Sequence, residues 1–124
     1  MISIKLGNKI NSLGKNCFCN CTNLTSISIS NRLTSIGEGA FKNTGLVSID
    51  FSMIDSNAIC SDTFYRTNIL NVCNVCSSIN AIGENAFYGC DQLTGVSLPS
   101  SISTIGSYAF YNCINLISID LRDF

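Results

Sequence analysis

The sequence predicts an α/β-type repeat solenoid. Each coil contributes a short β-strand to a parallel sheet along one side, with short helical or 3-10 turns or irregular segments on the other. Three observations predict this. Phe18, Phe41, Phe64, Phe87 and Phe110 recur every 23 residues through the 124-residue chain. An L-x-x-I-x-I pattern follows each of them, and its last two members alternate as a strand with one buried face does. A unit of this size with one short strand cannot bury its own apolar face, whereas coils stacked on one another can.

The elements follow in order. Met1, Ile4 and Leu6 form a leading strand in a partial repeat, residues 1–9. Five full units start near residues 10, 33, 56, 79 and 102, giving one solenoid domain over 1–124. Each opens on an aliphatic five residues before its Phe: Leu13, Ile36, Ile59, Ile82 and Ile105. Gly14, Gly37, Cys60, Gly83 and Gly106 come next, a column that suits a positive φ or a close backbone approach. Small residues precede each Phe (Cys17, Ala40, Thr63, Ala86, Ala109), and Cys21, Thr44, Thr67, Cys90 and Cys113 stand three after it. The strand triplets are then Leu24/Ile27/Ile29, Leu46/Ile49/Phe51, Leu70/Cys73/Val75, Leu93/Val96/Leu98 and Leu116/Ile119/Leu121. Unit two is one residue short before its strand and one long after it. Unit three has Ser56 where an aliphatic is expected.

The assembled unit is cleanest from Leu93 to Cys113, LTGVSLPSSISTIGSYAFYNC. It resembles the BspA-like, or treponemal-type, class of leucine-rich repeats over essentially the whole chain. The resemblance implies a curved, right-handed coil with the sheet on its concave side. It also implies a surface or secreted protein that adheres to host cells, host matrix or other microbes. The strand-to-turn proline of that pattern survives only as Pro99.

Composition narrows the function. Charged residues are only 12% of the chain, with 18 Ser and 15 Asn in their place and a net charge of -1. No basic field exists to hold nucleic acid or an anionic membrane. No apolar run approaches the ~20 residues of a membrane span, and the N-terminus does not read as a signal peptide. Histidine is absent, which removes the commonest general base and metal ligand. No cofactor, metal site or catalytic residue is expected, and the chain is read as a non-enzyme.

The cysteines read as thiols. Thr alternates with Cys in the Cys21 column, so the slot needs a small, weakly polar group, not a bond. Cys90 and Cys113, on adjacent coils, could bridge; Cys21 and Cys90, three coils apart, could not. Cys17 and Cys73 are expected in the core, Cys19 and Cys76 nearer solvent. Cys73-x-x-Cys76 lacks a second ligand pair for zinc. Glu38 and Glu84 share one column two coils apart and read as solvated carboxylates. Asn20-Cys21-Thr22 and Asn23-Leu24-Thr25 are glycosylation sequons.

The residues between inward strand positions form a ladder on the concave face: Lys5, Ser28, Asp50, Asn74, Ser97 and Asp120. Hydrogen bonding to a protein or glycan ligand is the expected use, with a host cell or matrix as its source. A structural spacer, with binding carried by neighbouring domains, is the alternative. Neither end carries a polar capping unit. Self-association through open ends and a longer array of repeats are both expected on that ground.

Overall fold

The computed structural model describes residues 1–120. It is a parallel β-solenoid with ten short strands: β1 (Ile2–Lys5), β2 (Ser12–Leu13), β3 (Leu24–Ser28), β4 (Ser35–Ile36), β5 (Ala58–Ile59), β6 (Asn71–Val72), β7 (Ala81–Ile82), β8 (Gly95–Ser97), β9 (Thr104–Ile105) and β10 (Ser118–Asp120). β1 pairs with β3, and β8 lies between β6 and β10. A second face pairs β2 with β4, and β5 through β7 to β9. All of these pairs are parallel, as stacking one coil on the next requires.

The third side of each coil is a six-residue turn, at 15–20, 38–43, 61–66, 84–89 and 107–112. Alternate N–H groups there have different partners. In the first turn Cys17, Cys19 and Cys21 donate three residues back, to Gly14, Asn16 and Phe18. Asn16, Phe18 and Asn20 donate instead to Glu38, Ala40 and Lys42 of the next coil, at 2.8–2.9 Å. The pattern repeats at each junction, so turn backbone joins the coils as a sheet ladder would.

This geometry corrects the expectation of helical turns. Each turn holds two left-handed residues four apart: 16 and 20, 39 and 43, 62 and 66, 85 and 89, 108 and 112. A helix needs an unbroken right-handed run, which that spacing forbids. Six of the nine non-glycine residues at positive φ are Asn, the side chain that tolerates this region best. The one 3-10 segment among the described residues, Phe51–Met53, lies after the strand stretch of coil two, with the Asp50 carboxylate accepting from the Ser52 N–H at its start.

The glycine column serves close approach. A Cβ on Gly83 or Gly106 would lie 2.6 Å from the backbone nitrogen of Ser61 or Glu84, one coil back. Inside the coils the Phe rings stack in one column, with centroids 5.6, 5.6, 5.3 and 5.4 Å apart. Phe41, Phe64 and Phe87 are fully enclosed, while Phe18 and Phe110, in the end coils, are half-buried. Phe51 tilts against Phe64 and Phe87 and adds a second aromatic contact.

Two register expectations are corrected in coil three. Ile69 and Val72 are buried, and Val72 pairs with Val96; Leu70 and Cys73 are exposed. The turn Thr67-Asn68-Ile69 is one residue short, like Thr44-Gly45-Leu46, whereas Cys21, Cys90 and Cys113 are followed by two residues before the strand leucine. The aliphatic expected at Ser56 is supplied by Ile54, 1% exposed and bridged to Leu33, which the 3-10 segment delivers two residues early. Leu121 of the last triplet lies outside the described residues.

Candidate interaction face

The face carrying β1, β3, β6, β8 and β10 presents two outward columns. Parallel pairing aligns Lys5 with Ser28 and Asp120 with Ser97. Val72 pairing with Val96 then brings Cys73 beside Ser97. The ladder position in coil three is therefore Cys73, and Asn74 lies one residue beyond it in a left-handed conformation. The single missing turn residue is the physical cause, because a one-residue slip exchanges a strand's faces. Asp50 keeps its place in the ladder, but its carboxylate is engaged by the Ser52 N–H and hydroxyl.

The second column was not singled out from the sequence. It comprises Ser3, Ser26 and Ser48 in one paired run and Asn71, Gly95 and Ser118 in a second, aligned by the Leu70 N–H donating to Val47. Ser3 and Ser26 share a 2.6 Å hydroxyl hydrogen bond. The signal was present outside coil three: it is the position before the middle member of each strand triplet. Around Gly95 the two columns border a shallow groove of about 250 Å³, lined by Asn71, Cys73, Ser97, Ser118 and Asp120 among others.

A third column borders the strand starts. Val47 donates its N–H to Thr25, Leu70 to Val47, Thr94 to Leu70 and Ile117 to Thr94. Val47, Leu70 and Ile117 are 37%, 45% and 84% exposed. The face thus combines exposed aliphatics, a row of small hydroxyls and a sparse set of charges.

The thiols divide by depth. Cys90 is buried, and its Sγ donates to the Phe64 carbonyl at 3.1 Å; Cys113 reaches the Phe87 carbonyl at 3.2 Å. Thr67 Oγ1 lies 3.4 Å from Cys90 Sγ, so the Thr and Cys of this column bond along the solenoid axis. Burial, then the neighbouring Cys90, pushes the Cys113 thiol up to about 11. All eight cysteines are free. Cys17 is exposed, against the core position expected for it, because no earlier coil among the described residues covers that turn; Cys19 and Cys76 are half-buried, not open. Glu38 pairs with Lys15 at 3.9 Å on the surface, and no cluster of three potential metal ligands occurs among the described residues.

This geometry, a stack of short parallel strands closed by asparagine-rich turns around a phenylalanine column, defines the leucine-rich-repeat class of solenoids. The chain belongs to the BspA type leucine rich repeat region family, whose profile matches residues 1–70 and 57–124 in six copies. Among solved structures it is similar to a leucine rich cell surface protein of Faecalibacterium prausnitzii, at 30% identity over 95% of this chain and 31% of that one, TM-score 0.83. It is also similar to a leucine-rich repeat protein of Bacteroides ovatus, at 30% identity over 96% of this chain and 36% of that one, TM-score 0.60. The T. pallidum leucine-rich repeat protein shares the fold, at 23% identity over 95% of this chain and 57% of that one, TM-score 0.76. The chain thus spans between about a third and somewhat over half of these proteins. No curated protein sequence matches it. No helix among the described residues is long and apolar enough to cross a membrane.

Proposed function

We propose that the chain is a non-enzymatic interaction module that docks a protein ligand on its long-strand face, as part of a surface or secreted adhesin-like protein. The observation that carries this reading is the exposed aliphatic column Val47, Leu70 and Ile117 beside the hydroxyl column. Solvated sheet faces that bind nothing have no need of exposed aliphatics in register on three of four coils, and partial apolar cover beside hydrogen-bonding groups is how protein interfaces are composed. The surface location is supported by the Faecalibacterium relative, which is described as a cell surface protein.

Immobilised chain tested against purified matrix glycoproteins and host-cell ectodomains checks the reading. Binding of at least one is expected, with a loss of tenfold or more in Leu70→Lys and in Ser97→Arg. Capture unchanged by both variants would place the contact elsewhere. Complete absence of binding would favour the spacer reading, in which neighbouring parts of a longer protein hold the ligand.

A further inference from the structure

A second surface lies on the flank between the turns and the strands. Coils two and three lose one residue there, so the flank is indented beside them. Two adjoining hollows result, of about 390 and 590 Å³, which share Arg66 and Asn68. The first also takes in Asp91 and Asn112, the second Asn20 and Asn43. They form one furrow along the solenoid axis from coil one to coil five, roughly 20 Å at one coil per ~4.8 Å.

Conformation explains most of the furrow's residues. Asn20, Asn43, Gly89 and Asn112 occupy one left-handed column, where Asn and Gly are the residues expected. It does not explain Arg66, which sits in the same column at φ +53°. A long side chain there costs stability that Asn or Gly would not. Its guanidinium lies 5.7 and 6.0 Å from the Tyr65 and Tyr88 ring centres, and no hydrogen bond or ion pair reaches it among the described residues. Gly89 makes room for it, since a Cβ there would meet Arg66 Cγ at 2.9 Å. The Asn68 and Asn112 amides also have no side-chain partner among the described residues. Asn43 Nδ2 donates to Asn20 Oδ1 at 3.0 Å, leaving one donor and one acceptor end of that pair for a ligand.

We infer that this furrow binds a neutral, β-linked oligosaccharide. Its charged lining is one cation and one anion, Arg66 and Asp91, so it does not select a charged ligand. Asn amides that set a donor beside an acceptor, and a guanidinium that sets two donors side by side, match the adjacent hydroxyls of a sugar ring. The backbone favours sugar over peptide. An extended peptide is held by pairing its main chain with a free strand edge, whereas the Asn43, Arg66 and Asn68 N–H groups here already donate to neighbouring coils, so the furrow offers side chains.

Calorimetric titration with neutral β-1,4-linked glucose and N-acetylglucosamine oligomers of increasing length tests this. Affinity is expected to rise with each unit up to about four and then level off. Arg66→Gly, which suits the left-handed position as Gly89 does, should retain the melting temperature and weaken binding at least tenfold. Asn112→Gly should weaken only the longer oligomers, and Ser35→Ala, exposed on the second strand face, should change nothing. Absence of heat at millimolar concentration for every length, or wild-type affinity in Arg66→Gly, would overturn the inference. Preference for an extended polar peptide over every oligomer would do the same.

Discussion

Tyr108 sits in the left-handed region at φ +59°, where its coil-four equivalent is Asn85. L-residues other than Asn, Asp and Gly lose roughly 1 kcal/mol or more there. Tyr108→Asn is therefore expected to raise unfolding free energy by about 1 kcal/mol, measured by chemical denaturation. The opposite sign belongs to Gly83→Ala. Its Cβ would lie 2.6 Å from Ser61 N in the coil behind, and forced overpacking costs ~1–3 kcal/mol. Cys113 gives a pH dependence. Its folded value of about 11 exceeds the ordinary 9.0, so the unfolded chain loses this proton first. Its contribution is complete below pH 9 and is lost as pH rises through 11. A melting temperature that falls over this window, and falls less in Cys113→Ala, is the expected result.

The element that most disturbs the repeat is the 3-10 segment Phe51–Met53. The long-strand face passes coil two through the single Ser26–Ser48 bridge, and the second face is bridged there by Leu33 and Ile54 in place of a β4–β5 pair. The segment compensates by turning Phe51 into the core and delivering Ile54 to Leu33. Its N-cap is Asp50, and Asp50→Ala is expected to cost about 1 kcal/mol, read by denaturation, as loss of a helix cap does. Asp50→Asn should recover most of that, since the amide oxygen can still accept from Ser52. The turns were legible in the sequence only in part. Their two left-handed positions stand as columns of Asn, Asp and Gly broken by Tyr108 and Arg66, but the Gly column after the aliphatic is the more visible signal. That column proves to mark close approach.

In the whole molecule, stability is a sum over coils and the junctions between them. Phe64 has a stacked ring on each side and is fully enclosed, whereas Phe18 has one stacked neighbour and is half-buried. Phe64→Ala is expected to cost ~3–5 kcal/mol and Phe18→Ala about half as much, because the end ring already forgoes one face of contact. Equal losses at the two sites would mean that the first coil is covered in solution. The low charge of the chain agrees with this architecture. Coils are joined by backbone hydrogen bonds on three sides and by an apolar column within, and only two salt bridges occur among the described residues, Lys15–Glu38 exposed and Lys42–Asp62 half-buried.

The 23-residue period, the parallel stacking, the Phe and aliphatic columns and the family all follow from the sequence, because identical positions in stacked coils must make identical contacts. Register within an irregular coil does not follow. Leu70 and Ile69 are both apolar neighbours, and either reading keeps a plausible strand. Only the length of the preceding turn against the fixed ladder of the adjacent coils selects Ile69 for the core. That selection exposes Leu70, puts Cys73 in place of Asn74 on the outer face, and creates the indentation beside Arg66. The sequence carries the repeat, and the tertiary structure decides where its departures leave side chains free to meet a partner.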